Sequence, residues 1–108
     1  MAYAEAYSEK EPSRPEVDAL PGATLLEFGS PWCGYCVRAQ PLISEALETH
    51  LSVRHFKISD ASGRRLGRSF RVKLWPTLVF LKNGGEVSRL VRPTTTESIR
   101  EALAGIAR

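Results

Sequence analysis

Phe28-Gly29-Ser30-Pro31-Trp32-Cys33-Gly34-Tyr35-Cys36 holds both cysteines of the chain, two residues apart. The run at 23–28 that leads into it is apolar except for Thr24 and Glu27, and reads as a buried strand. Residues 37–49 lead out of it. Val37, Ile43, Ala46 and Leu47 recur there at roughly helical spacing, which predicts an amphipathic helix with a kink at Pro41. A vicinal thiol pair between a strand and a helix points to reversible formation of a Cys33–Cys36 disulfide. A cysteine at a helix N-terminus meets unpaired N–H groups and the positive end of the helix dipole, and both favour thiolate over thiol. Cys36 falls on the same helical face, within reach of Cys33.

Upstream, residues 2–7 alternate weakly and suggest a short edge strand. Ser13-Arg14-Pro15-Glu16 has the spacing of a capping box and should open a short helix that stops at Pro21-Gly22. Downstream, residues 51–58 alternate apolar and polar and predict a strand, and Ser59 or Asp60 should cap a helix with Ala61, Leu66 and Phe70 on one side. Lys73 to Thr77 reads as a loop, 78–81 as a strand, Asn83-Gly84-Gly85 as a hairpin turn and 86–91 as the returning strand. Thr94 and Glu97 form a second capping-box pattern ahead of a C-terminal helix carrying Ile99, Leu103 and Ile106 on one face. Strand–helix–strand crossovers imply parallel pairing and the closing hairpin adds antiparallel strands. The expectation is a single α/β domain over residues 1–108, with about 1–12 weakly structured or an edge strand. Its mixed sheet of four to five strands has helices on both faces.

Composition narrows the function. The 108 residues are 43% hydrophobic and 25% charged, as in a soluble globular domain. A net charge of +3 is too weak to argue for nucleic acid, and the basic cluster Arg64, Arg65, Arg68, Arg71 and Lys73 encloses no aromatic residue but Phe70, which reads on the apolar side of its helix. Arg64, Arg68 and Arg71 should share a helical face, either as a solvated stripe or as a surface that steers acidic partners. No apolar run approaches the ~20 residues of a membrane span. The first eleven residues lack the apolar core of a secretory signal, which suggests a cytoplasmic protein. The cysteine pair could instead be buried structural thiols or half of a zinc site. A structural zinc needs four ligands, however, and only His50 and His55 remain, without finger-like spacing. Both histidines read as surface residues.

Trp32-Cys33-Gly34-Tyr35-Cys36 after an acid-bearing strand, with Pro41, Trp75-Pro76-Thr77 and Lys82-Asn83-Gly84 downstream, resembles the thioredoxin family from about residue 15 to the C-terminus. The resemblance implies the thioredoxin fold and a protein-disulfide oxidoreductase with no cofactor beyond its own redox-active disulfide. Cys33 would be the nucleophile and Cys36 the resolving thiol. Glu27 stands where the most similar members have an aspartate that accepts a proton from the resolving cysteine, and Lys57 where they have a lysine near that acid. Glu27 is therefore expected to be buried, with a pKa raised by desolvation. Pro76 matches the family's cis-proline, whose loop, Lys73, Trp75 and Thr77 included, faces the dithiol and pairs with extended substrates. Trp32 would shield the sulfurs, and Gly34 would keep the turn tight and admit a partner chain. The implied partners are proteins with disulfides and a reductase or other thiol donor, and a monomer suits this size and fold.

The chain also departs from the family. Gly34-Tyr35 replaces the Gly-Pro of reducing thioredoxins, which restores an N–H near the sulfurs and should make the pair more oxidising. Trp75 replaces a smaller aliphatic residue, so it is either a wall of the substrate groove or packed on the hairpin. Gly29 replaces a common tryptophan, and Pro93 falls where a glycine often lines the substrate surface. Reduction of protein disulfides leads among the functions. Disulfide oxidation or isomerisation is the alternative, and a non-catalytic binding module on the same fold is a third reading.

Overall fold

The computed structural model describes residues 3–8, 10–61 and 64–107. Eight elements follow in order: α1 (Arg14–Asp18), β1 (Ala23–Gly29), α2 (Gly34–Leu47), β2 (Arg54–Ser59), α3 (Arg65–Ser69), β3 (Thr77–Lys82), β4 (Gly85–Val91) and α4 (Thr96–Ala104). The four strands form one sheet in the order β2-β1-β3-β4. β1 runs parallel to β2 and antiparallel to β3, and β3 pairs antiparallel with β4.

Helices cover both faces because β1 and β3 are apolar on both. Leu25, Leu78 and Phe80 point to one side, where they pack with Ala39, Ile43 and Leu47 of α2 and Ile99 and Leu103 of α4. Leu26, Phe28, Val79 and Leu81 point to the other, against Val17 of α1 and Leu66 and Phe70 of and beside α3. A strand buried on both faces reads as a continuous apolar run, which is how 23–28 and 78–81 read. Ser13 caps α1 with the reciprocal Glu16 contact, as the spacing predicts. The hairpin turn depends on Gly84, at φ 81°, where a Cβ would run into the backbone of Asp18.

Several local expectations change. Among residues 3–7 there is no strand; the one bridge nearby is made by Ser8, to Ile58. Residue 2 lies outside the described residues. β2 starts at Arg54, and Leu51, which was expected to open it, sits exposed in a turn. α3 starts at Arg65 with no side-chain cap, because the Asp60 carboxylate accepts from Trp75 Nε1 instead (3.0 Å). The arginine stripe breaks up accordingly. Arg64 precedes the helix and donates to Ser59 O, while Arg71 lies beyond its end at φ 58°. α4 is capped by Thr95, which accepts from Ser98 N–H, rather than by Thr94.

Candidate active site

β1 ends at Gly29 and α2 begins at Gly34, so the Cys33–Cys36 pair sits where the sheet hands over to a helix. Cys33 is the N-cap of α2, in extended conformation, and its Sγ accepts the Cys36 N–H at 3.3 Å. The sulfur thus takes the place that a serine or aspartate oxygen has in ordinary caps. Cys33 is partly exposed and Cys36 fully buried, and both are free thiols.

The two thiols are driven apart electrostatically. Burial pushes the Cys33 pKa up, but the Cys36 thiol, the N–H groups of Cys36 and Tyr35, and the Arg92 charge outweigh it and leave Cys33 below the ordinary thiol value. Burial, and then donation of its own proton toward Cys33, pushes Cys36 up to about 12. Thiolate is the nucleophilic form, so iodoacetamide should label one thiol of the reduced protein with an inflection below pH 9. The second should stay unlabelled through that range. Equal labelling of both at pH 7 would contradict the asymmetry.

Around Cys33 the surface is apolar and open: Trp32 is 91% exposed, and Tyr35 and Leu74 are about half exposed. The Trp75–Pro76 peptide is cis, and Trp75 O faces the dithiol, 3.9 Å from Cys33 Sγ. That oxygen already accepts from Arg92 Nε at 2.8 Å. The Trp75 indole turns away to Asp60, whose carboxyl pKa is raised by burial against the opposing indole hydrogen bond. Thr77 is buried and donates its hydroxyl to Leu74 O, which fixes the loop from within. Lys73 is exposed, and nothing but Arg38 Nη1 approaches the position of a Cβ on Gly34. Gly29 has no such room: a Cβ there would lie 2.8 Å from Cys36 Sγ and 3.1 Å from the Tyr7 hydroxyl. Tyr7 therefore fills space beside the buried thiol, and its hydroxyl is buried with no hydrogen-bond partner among the described residues.

Behind Cys36, Glu27 is wholly buried. Its Oε2 accepts from Gln40 Nε2 (2.8 Å), and the same amide group donates to Cys36 O (2.8 Å). Its Oε1 lies 2.9 Å from His55 Nε2. His55 Nδ1 accepts the Ala4 N–H at 2.8 Å, which places the ring proton on Nε2 and makes His55 a donor to Glu27. This corrects the surface reading of His55, whose side chain is fully buried. His50 does lie at the end of α2, near Ala46 O. Lys57 pairs with Glu27 in strand register but makes no ion pair with it. Its ammonium donates to Glu5 O (3.0 Å) and lies 4.5 Å from the Tyr7 ring centroid. Burial lowers the Lys57 pKa, with Glu27 pulling the other way. A cleft of about 650 Å³ is lined by Tyr7, Gln40 and Lys57 among others, the residues that surround Glu27 and Cys36.

His55, Gln40, Tyr7 and Arg92 carry much of this arrangement, and the sequence reading gives none of them a place beside the dithiol. Gln40 had a visible signal, since it is four residues after Cys36 on the same helical face. His55 is two residues before Lys57 and so shares its face of β2. No group of three or more His, Cys, Asp or Glu among the described residues could hold a metal ion.

Comparison with known proteins agrees with this geometry. The thioredoxin family model matches residues 8–105. Thioredoxin-1 of Caenorhabditis elegans is 33% identical over 66 residues, covering 61% of this chain and 57% of its own length. Human protein disulfide-isomerase A2 is 33% identical over 87 residues, covering 75% of this chain and 17% of its own. The chain thus spans less than two thirds of the length of these curated relatives. Among solved structures, reduced thioredoxin 2 from Pseudomonas aeruginosa superposes with a TM-score of 0.83 at 52% identity over 92% of both chains. With its four-stranded mixed sheet, its helices on both faces and its Cys33–Cys36 pair at the head of α2, the chain belongs to the thioredoxin family.

Proposed function

We propose that the protein is a thiol–disulfide oxidoreductase that reduces or exchanges disulfides in protein substrates. The observation that carries this reading is the inequality of the two thiols: one accessible and stabilised as thiolate, the other buried and held protonated up to about pH 12. Cys33 S⁻ attacks one sulfur of a substrate disulfide and the other leaves as thiolate, giving a mixed disulfide. Cys36 loses its proton and attacks Cys33 Sγ. The substrate leaves with both sulfurs reduced, and the two electrons it gained are those given up in forming Cys33–Cys36. Glu27 takes the Cys36 proton, directly or through water in the Tyr7–Gln40–Lys57 cleft, and Lys57 tunes its charge. Trp32, Gly34, Tyr35 and the loop of Lys73, Trp75, Pro76 and Thr77 form the substrate surface. An external thiol donor or reductase returns the pair to the dithiol, with no cofactor needed. The protein works as a monomer in the cytoplasm, on neither nucleic acid nor membrane; no helix among the described residues is long and apolar enough to cross a bilayer.

A second reading, oxidation or isomerisation, is favoured by one observation. The Tyr35 N–H lowers the Cys33 pKa, and a proline at that position would have no such donor. Stabilising the thiolate stabilises the reduced form and raises the potential. Equilibration with glutathione buffers decides between them. The expected potential lies between about −270 and −200 mV, the range of thioredoxin and glutaredoxins. A value of about −180 mV or higher would overturn the reductase reading in favour of the second.

A further inference from the structure

Beside the dithiol, α2 and the segment after β4 enclose a cleft of about 380 Å³, lined by Tyr35, Arg38 and Leu42 on one side and Arg92, Pro93 and Thr94 on the other. It adjoins the reacting sulfur at two points: the Tyr35 N–H acts on Cys33 Sγ, and Arg92 shares the Trp75 carbonyl with that sulfur. Both arginines crowd one ring. The Arg92 guanidinium carbon lies 3.8 Å from the Tyr35 centroid and that of Arg38 lies 4.9 Å from it. Among the described residues neither has a carboxylate partner.

This placement runs against local stability. The N-terminal end of a helix favours acids and disfavours cations, yet the first turn of α2 holds no acid and Arg38 follows it directly. Arg92 adds a second positive charge from a residue at φ 53°, a conformation uncommon outside glycine. Local rules broken together at one place mark a functional surface. The Cys33 thiolate accounts for Arg92, which lowers its pKa, but Arg38 stands farther along the helix and opens on the cleft. Two guanidinium forks on a cleft otherwise lined mainly by apolar residues suit a carboxylate on a short methylene stem, with the stem against Leu42 and Pro93.

We propose that this cleft binds an acidic side chain, Asp or Glu, of the substrate protein, close in sequence to the cysteine that Cys33 attacks. The proposal rests on the oxidoreductase reading and narrows its substrate class. The occupant is a side chain and not a free small acid, because Tyr35 belongs both to the cleft and to the exposed apolar surface beside Cys33 on which an extended chain would lie.

The test uses disulfide-containing peptides that differ only by Glu or Gln, placed in turn at each position from two before to two after the attacked cysteine. In low salt the Glu peptide should be reduced about fivefold faster in kcat/KM at one or two of these positions, the scale of a partly exposed ion pair. The Glu/Gln ratio should fall toward one in Arg38→Ala and in high salt. A role of the arginines confined to the Cys33 thiolate would change both peptides alike and leave the ratio untouched. A ratio of one at every position in the wild type, or a ratio that survives Arg38→Ala, overturns the proposal. So does an acid preference confined to glutathione disulfide over its ester, since the ligand would then be a free small acid. If no peptide is reduced at all, the oxidoreductase reading has failed and the subsite falls with it. Reduction of all peptides without acid preference removes the subsite alone.

Discussion

Cys33→Ser should run at the uncatalysed rate in dithiothreitol-driven reduction of insulin, a loss of at least about 10³-fold. A serine hydroxyl keeps the cap on α2 but cannot act as a nucleophile toward sulfur at neutral pH. Cys36→Ser should fail differently. Its Cys33 still attacks and still has its N–H donors, but nothing resolves the mixed disulfide. A covalent adduct with insulin should accumulate, visible on a non-reducing gel and cleared by excess dithiothreitol. The double variant sets the baseline. If the wild type is no faster than that baseline, the pair is not catalytic, and the fold serves as a binding module.

Glu27→Gln should slow turnover at pH 7 by about 10- to 100-fold, the usual contribution of a positioned general base. The hydrogen-bond wiring makes this substitution harsher than it looks. Glu27 accepts on both oxygens, from His55 Nε2 and Gln40 Nε2. Glutamine brings an NH₂ group that must face one of those two donors. His55 cannot turn over its tautomer without losing the Ala4 N–H, and Gln40 cannot flip without losing Tyr3 or Cys36 O. One buried donor is left unpaired, which costs about 1–3 kcal/mol of stability. Stability loss alone leaves a rate deficit that is flat with pH. A missing proton acceptor leaves one that shrinks as pH climbs toward about 12, where Cys36 ionises unaided. Rates at pH 7 and pH 9 separate the two, and an identical deficit at both would sink the general-base role.

The parts of this molecule that sequence reveals are those where a pattern has one physical cause. Continuous apolar runs mark β1 and β3 because both faces of the sheet are covered, and Ser13 with Glu16 marks the start of α1. The same double cover is why β2 misled. Its alternation of polar and apolar residues suggests an outward polar face, but α2 and the chain before Ser8 lie over that face, so His55 and Lys57 are buried. The polarity marks a second buried network, not solvent. Asp60 shows another limit. Its side chain could cap a following helix or accept from the distant Trp75, and only the three-dimensional path of the cis-Pro loop selects the second. Arg92 stayed invisible for the same reason: its partners Trp75 O, Pro76 O and Tyr35 are all far away in sequence.

Residues 3–8 form no regular element, yet four separate contacts tie them to the side chains around Glu27 and Cys36. Tyr3 holds Gln40, Ala4 holds His55, Glu5 holds Lys57 and Tyr7 presses on Cys36. This stretch is thus wired into the surroundings of the dithiol, although its sequence suggests only a weak edge strand. A substitution there would act as a chemical perturbation of the dithiol's surroundings.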